Sequence, residues 1–261
     1  MAKILDGKSI AEKILSDIKK YIKMKNLNLS LLIVLCGKNK GSLLYTNLKK
    51  RKGEKVGIKV EIKKFSEKSD ESEIINVIKT SHHDGVIVQL PLPSNKNKNN
   101  ILSSIPPEKD VDGLTKHSIF TPATPKGIIR LLKEYGVSVK GKNIIIINDS
   151  MIVGRPLANL MLDKGATVTI CNKFTKDINI HTKKADIVVS GVGIPNFIKK
   201  DMIKESAVVI DVGISKKQGK VLGDVDFDSV NEKASFITPV PGGVGPMTIA
   251  MLLENIVNKT R

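Results

Sequence analysis

Apolar residues along the 261-residue chain fall into two alternating rhythms. Ile10, Ile14, Ile18 and Ile22 recur at every fourth position, with Ala11, Leu15 and Tyr21 beside them, which predicts a helix over 6–24. A continuous apolar run at 31–35 is short enough for a buried strand. An amphipathic run over 42–56 predicts a second helix, closed by Gly57. Residues 58–63 alternate as a strand, 71–79 read as a helix, and 85–93 read as a strand that stops at prolines. A polar turn at 94–100 and a short apolar helix follow. Thr124-Pro125 predicts an N-cap and an N1 proline opening a helix to about Tyr135. Further on, strands are expected at 141–147, 166–171, 186–190 and 207–212, with a helix to about Leu162 after the first. Thr248 is expected to open a terminal helix over 250–257. Strands alternating with helices predict parallel sheets with right-handed crossovers, hence an α/β fold of two domains. The boundary is placed near Ile119, giving 1–118 and 119–261. In the second half each strand ends in glycine or a polar turn, where open α/β sheets take ligands.

Several positions in this frame could carry chemistry. Tyr45 and Lys49 stand four residues apart, so both side chains leave the same face of a helix. An aromatic plate beside a movable ammonium could stack a flat ring and work on its edge. A solvated face with a snorkelling lysine is the commoner meaning of such a pair. Gln89 is polar inside an apolar strand, either as a structural amide or as a functional one. Asp110 and Asp112 flank a valine before Gly113 and would share one side of an extended segment. An Asx-turn or helix cap is the bland reading, and two carboxylates without further ligands make a poor metal site. The stretch from Thr238 to Thr248, TPVPGGVGPMT, is a rigid loop with close backbone access. It suits an anionic ligand at a helix start, or is simply a tight turn.

Composition narrows the classes. Aromatic residues make up 3% and Trp is absent, so the core rests on Ile, Val and Leu. No apolar run is long enough to span a bilayer, and the N-terminus lacks the apolar core of a signal peptide. Cys36 and Cys171 have no metal-ligand or CxxC spacing, so buried free thiols in a reducing cytoplasm are expected. The formal charge of +17 comes from lysines spread over the chain without interleaved aromatics. That favours a solvated surface with some steering of anionic ligands over nucleic-acid binding. The four histidines lie in polar stretches and receive no role.

Taken together, Leu5-Asp-Gly-Lys8, Tyr45-xxx-Lys49, Gly85-Val-Ile-Val-Gln-Leu-Pro-Leu-Pro93, Lys109-Asp-Val-Asp-Gly113, Ile152-Val-Gly-Arg-Pro156, Val209-Ile-Asp-Val-Gly-Ile214, Gly223-Asp-Val225 and the 238–248 loop stand in an order that carries a resemblance. The chain resembles the bifunctional methylenetetrahydrofolate dehydrogenase/methenyltetrahydrofolate cyclohydrolase family over essentially its whole length. The resemblance implies an N-terminal α/β catalytic domain (1–118), a Rossmann-like NAD(P)-binding domain (119–261), a cleft between them and a terminal helix (246–261) packed back toward the first. It implies a cytoplasmic homodimer with no metal and no membrane partner. Lys49 would be the acid/base group, Tyr45 the plate beneath the folate, Gln89 the lysine's partner and Asp112 the anchor for the pterin's amino edge. Val88, Leu90, Pro241, Gly242, Gly243, Val244, Gly245, Pro246, Met247 and Thr248 would complete the folate site. Thr124, Asn148, Asp149, Ser150, Lys173, Ile214, Gly245 and Thr248 would hold the dinucleotide. The chemistry suits these types. Hydride transfer needs alignment, and opening the cationic methenyl bridge with water needs a group that manages protons. A free lysine is too basic for that, and burial lowers an ammonium's pKa.

The chain also departs from the family. Asn148-Asp149-Ser150 stands where the family usually has Gly-Arg-Ser, whose arginine helps hold the 2′-phosphate of NADP. Cys171-Asn172-Lys173 stands for the usual Cys-His-Ser. An aspartate about 4 Å from a phosphate opposes it by about 4 kcal/mol at an effective dielectric near 20. Lys173 could restore the charge. NADP is placed ahead of NAD, with both open. Gly37-Lys-Asn-Lys-Gly-Ser42 replaces the usual Gly-x-x-Pro-Ala-Ser, the 113–122 segment is short, and Ala123 replaces a usual cysteine. A cyclohydrolase with a weakened dehydrogenase half is the second reading. A basic nucleic-acid-binding protein on the same fold is the third, which steep salt dependence on unrelated DNA would mark.

Overall fold

The computed structural model describes residues 1–217 and 219–260. In chain order its elements are β1 (Lys3–Ile4), α1 (Gly7–Met24), β2 (Ser30–Cys36), α2 (Lys40–Val56), β3 (Lys59–Phe65), α3 (Glu71–Lys79), β4 (Gly85–Val88), α4 (Lys98–Ser103), α5 (Ala123–Glu134), β5 (Asn143–Ile147), α6 (Gly154–Leu162), β6 (Thr167–Cys171), α7 (Ile178–Thr182), β7 (Ile187–Ser190), β8 (Val208–Asp211), β9 (Ser215–Lys217), β10 (Lys220–Leu222), α8 (Phe227–Asn231), β11 (Phe236–Ile237) and α9 (Val244–Asn258). The chain divides into two compact units, one of residues 1–11 and 124–248, the other of 12–123 and 249–261.

The second of these units is built on a parallel sheet in the order β3-β2-β4. Central β2 pairs from Ser30↔Lys59 to Cys36↔Phe65 on one side and from Leu31↔Gly85 to Val34↔Val88 on the other. A central strand is covered on both faces, so β2 reads as the unbroken apolar run the sequence shows. Leu32, Val34, Phe65, Ile74, Ile78, Val86, Val88 and Ile101 form one core around it. Each fully buried aliphatic contributes about 1.5–3 kcal/mol relative to exposure. The Asn39 side chain accepts from Ser42 N at 2.9 Å at the start of α2, and Gly57 closes it at φ 98°. Asn255 of α9 donates to the Val111 and Thr121 carbonyls at 2.9 and 3.1 Å.

Among the described residues the other unit carries a six-stranded sheet in the order β1-β11-β8-β7-β5-β6, parallel throughout. Its interior strands are almost wholly apolar and buried, as a sheet covered on both faces requires. Edge strand β6 leaves Ile170 39% exposed.

The structure corrects several expectations. The 85–93 strand ends at Val88, since Pro91 and Pro93 have no N–H to give to a ladder. Thr124 is not an N-cap, since α5 already begins at Ala123. Thr248 does not open the terminal helix, which begins at Val244. Asp110 and Asp112 do not share an extended face, because residues 107–109 form a 3₁₀ turn.

Candidate active site

The buried face of α2 reads Ser42, Thr46, Lys49, Gly53, Val56, an i, i+3, i+4 stripe. A lysine in such a stripe is unusual, and Lys49 is only 3% exposed. Its ammonium lies 3.6 Å from Asp112 Oδ2 and 5.2 Å from the centre of the Tyr45 ring. Tyr45, one turn earlier, is half-buried, so the plate and the ammonium stand together.

Asp112 reaches this place because the chain turns at 107–109. The turn also sends Asp110 inward, fully buried, where its carboxylate accepts from Leu114 N at 3.2 Å and Thr115 N at 2.7 Å. Asp110 thus does the structural work of an Asx-type turn, and Asp112 faces the lysine. Burial pushes the Asp112 carboxyl above its ordinary value, and the Lys49 ammonium pulls against that shift.

Gln89 follows β4, and its backbone N–H still bonds Val34 O at 2.9 Å. Its side chain was expected to hold the lysine. Instead its Nε2 donates to the Leu90 carbonyl at 2.7 Å, and its Oε1 is buried without a hydrogen-bond partner. Thr46 Oγ1 is orphaned in the same way. The Ser42 hydroxyl reaches the same Leu90 carbonyl at 3.4 Å. Val88 lies wholly in the core. An orphaned amide oxygen at Gln89 and an orphaned hydroxyl one turn before Lys49 suit a polar ligand that brings its own hydrogen bonds.

The 238–248 stretch belongs to the other unit. The Val240–Pro241 peptide is cis, and Gly242 has φ 119°. Gly243 N bonds Pro239 O, and Gly242 O accepts from Lys8 N, each at 2.8 Å. A Cβ at Gly7 would lie 2.0 Å from Gly243 O, so the backbones touch. Residues 244–248, with Pro246, form the first turn of α9. Val244 and Met247 are buried, while a Cβ at Gly245 would meet nothing within 4 Å. Thr248 Oγ1 lies 3.2 Å from Val244 O and 3.0 Å from Thr124 Oγ1, which ties the starts of α5 and α9.

Of the dinucleotide candidates, Asn148, Asp149 and Ser150 follow β5, Lys173 follows β6 and Ile214 follows β8, whereas Thr124, Gly245 and Thr248 lie in the first turns of α5 and α9. Asn148 Nδ2 donates to Gly191 O and Asn148 Oδ1 accepts from Ser150 N at 2.9 Å, while Ser150 Oγ accepts from Val153 N at 3.1 Å. A Cβ at Gly154 would lie 1.7 Å from Asn148 O, so α6 starts hard against the end of β5. This close helix–strand approach fits a pyrophosphate at the end of the strand. Asp149 is exposed, and its carboxylate accepts from Asn172 Nδ2 at 3.2 Å. The Arg155 guanidinium donates to the Asp149 carbonyl at 3.0 Å, and the Lys173 ammonium sits 5.0 Å from the Phe174 ring centre. Ile214 is 57% exposed beyond β8. Sequence reasoning missed Arg155, Thr46 and the buried acids Asp211 and Asp224. The signal for the last two was an aspartate ending an apolar strand and another beside a glycine. Among the described residues no group of three or more His, Cys, Asp or Glu could hold a metal ion. No helix among them is long and apolar enough to cross a membrane.

Two family models match. The tetrahydrofolate dehydrogenase/cyclohydrolase catalytic domain covers residues 5–112, and the NAD(P)-binding domain of the same name covers 122–261. A bifunctional protein FolD from Hydrogenobaculum is 47% identical over 267 residues, 97% of this chain and 96% of its own. The crystal structure of the Campylobacter jejuni bifunctional FolD, a methylenetetrahydrofolate dehydrogenase/cyclohydrolase, superposes with a TM-score of 0.94 at 41% identity, covering 99% of this chain and 98% of its own. The Trypanosoma brucei FolD, complexed with NADP and an inhibitor, gives 0.92 at 33% identity, covering 99% and 97%.

Proposed function

The chain belongs to the tetrahydrofolate dehydrogenase/cyclohydrolase family, and on that premise we propose how its own residues carry the family's two activities. It oxidises 5,10-methylenetetrahydrofolate to the methenyl compound with a nicotinamide dinucleotide and hydrolyses that product to 10-formyltetrahydrofolate. Neither a cyclohydrolase with a lost nucleotide half nor a nucleic-acid-binding protein is favoured, since the NAD(P)-binding model matches through 122–261.

The observation that carries the assignment of roles is the buried Lys49 ammonium between the Asp112 carboxylate and the Tyr45 ring. Tyr45 supports the folate's flat ring. Asp112 meets Lys49 through Oδ2, which leaves Oδ1 to accept N–H bonds from the pterin's amino edge. A buried carboxyl already raised by desolvation gains most from such donors. In the hydrolytic step water adds to the cationic methenyl carbon and Lys49, acting as its neutral amine, takes a proton from it. The carbon–N5 bond then breaks, N5 receives a proton, and the oxygen becomes the formyl carbonyl. One proton is released overall. Gln89 Oε1, orphaned and buried, accepts from the lysine as it moves. Val88 and Leu90 belong to the same folate-binding set.

The bound dinucleotide supplies the hydride acceptor. Asn148, Ser150 and the start of α6 receive its phosphates, while Thr124, Thr248, Gly245 and Ile214 contribute contacts. We assign NADP+ as the preferred form. Arg155 donates to the Asp149 backbone, Asn172 engages the Asp149 carboxylate, and Lys173 follows Asn172 in the chain. Two cations against one acid favour a 2′-phosphate. The functional division is placed at 118/119, with the terminal helix α9 serving the catalytic part. The protein is assigned to the cytoplasm, in keeping with two free buried thiols. It is also assigned as a homodimer joined along the open edge of β6, which sedimentation velocity tests directly.

The deciding experiment assays the purified protein with 5,10-methylenetetrahydrofolate and NADP+ or NAD+, and follows methenyl hydrolysis separately. Reduction of NADP+ with the higher kcat/KM, together with hydrolysis, is expected. Reduction of NAD+ alone would remove the role of Arg155 and Lys173. Absence of hydrolysis would remove that of Lys49.

A further inference from the structure

Two acids in the nucleotide-side unit take no part in the chemistry above. Asp211 ends β8 and Asp224 follows β10, and they are 3% and 0% exposed. A buried carboxylate is costly unless donors surround it. Asp224 Oδ2 accepts from Ser190 Oγ at 2.9 Å and from Val192 N at 2.6 Å, and its Oδ1 accepts from Gly193 N at 2.9 Å. Asp211 Oδ1 accepts from Gly213 N at 2.9 Å and Asp224 N at 3.0 Å, and its Oδ2 accepts from Val225 N at 2.9 Å.

Each carboxylate also occupies the space above a glycine next to the other acid. A Cβ at Gly213 would lie 2.0 Å from Asp224 Oδ1, and one at Gly223 would lie 2.0 Å from Asp211 Oδ2. Burial pushes Asp211 up to about 6 in spite of its three backbone donors, and the charge of Asp224 adds to the rise. A core that needed only filling would use apolar side chains at lower cost.

What the acids hold is a pair of loops. Asp224 draws in 192–193 beyond β7, and Asp211 draws in 213 and 224–225 beyond β8. Ser215 Oγ donates to Gly193 O at 2.9 Å and joins the two. The loops carry Ile194 and Ile214, 54% and 57% exposed, past the C-terminal ends of neighbouring parallel strands. A Cβ at Gly193 would meet nothing within 4 Å, so the space above that loop is open.

We infer that Asp211 and Asp224 are positioning residues for the dinucleotide, fixing the 191–194 and 213–215 loops so that Ile194 and Ile214 receive one of its flat rings. The inference deepens the dinucleotide reading above and rests on it.

Two variants test it in the full chain. Asp224→Asn puts an amide N–H against a backbone N–H, and Ser190→Ala removes one donor while leaving the carboxylate in place. Calorimetry with NADP+ or NAD+ in the absence of folate reads binding directly. Dehydrogenase kcat and KM are measured beside cyclohydrolase activity without dinucleotide. Asp224→Asn is expected to weaken dinucleotide binding and raise its KM about tenfold, and Ser190→Ala a few-fold. In both variants cyclohydrolase activity stays within about twofold of the native protein. Unchanged dinucleotide affinity in both variants overturns the inference. So does a parallel loss of both activities, which would make the acids supports of the fold alone. If Asp224→Asn does not fold, Ser190→Ala decides. A native protein that binds neither dinucleotide fails the underlying reading first, and the inference with it.

Discussion

Lys49 is held in a stripe of α2 where the neighbouring positions are Thr46, Gly53 and Val56. Methionine has the length and apolar character for that position, so Lys49→Met should fold. Its cyclohydrolase activity is expected to fall about 10²–10⁴-fold, the usual worth of an acid/base group. Part of the dehydrogenase activity should remain, because hydride transfer asks for alignment rather than proton transfer. Separate assays of the two steps check this, and equal loss of both would end the distinct role of the lysine. The Tyr45–Lys49 pairing was legible in the sequence because the helical period alone decides which side chains share a face. The division of labour between Asp110 and Asp112 was not. Both are aspartates beside one valine, and a three-residue turn decides which points inward to backbone N–H groups. The Gln89 amide was legible as unusual, but its bond to the adjacent Leu90 carbonyl is a side-chain contact that no local pattern marks.

α5, α6 and α9 share one construction. Each begins two residues ahead of a proline, at Ala123 before Pro125, Gly154 before Pro156 and Val244 before Pro246. The first N–H groups of a helix have no partner within it, so proline at the third position costs no hydrogen bond. Reading Pro125 as an N1 marker places the start of α5 too late, and reading Thr248 as the opening residue does the same for α9. The first of the three residues is small where the helix meets another backbone, and Gly154 shows why. Gly154→Ala would set a methyl 1.7 Å from the Asn148 carbonyl oxygen and push α6 off the end of β5. Overpacking of this kind costs about 1–3 kcal/mol. The expected result is a rise in the KM for the dinucleotide, with methenyl hydrolysis unaffected; steady-state kinetics of both reactions tests it. Strands of four or more apolar residues were legible from their pattern. β1 and β11, with two residues each, are too short to show a period, and only their pairing with one another and with β8 makes them strands.

The whole molecule carries a formal charge of +17 and two unusual acids. Asp211 is pushed from 3.8 to about 6, and Asp112 is raised as well, so the folded state holds these protons more tightly than the unfolded chain. Their stabilising contribution is complete below the unfolded value and is lost as pH rises through the folded one. For Asp211 a shift of this size corresponds to about 3 kcal/mol withheld from folding at neutral pH. Relative to an Asp211→Asn variant, the native protein should therefore gain stability as pH is lowered from about 7.5 to 5. Urea midpoints of the pair, compared at each pH, cancel the general repulsion between cations. A difference that stays flat with pH would contradict the assignment. Chain organisation at this scale was only partly legible. A boundary near 118 follows from composition and rhythm, yet residues 1–11 belong with 124–248. Leu5 N bonds Ile237 O, and Lys3 pairs with Phe236, across most of the chain's length. That pairing has a consequence in time. Among the described strands of this sheet β1 is made before all the others and β11 after them, so its edge cannot close until β11 has left the ribosome. β1 waits for a partner while the strands between them are made.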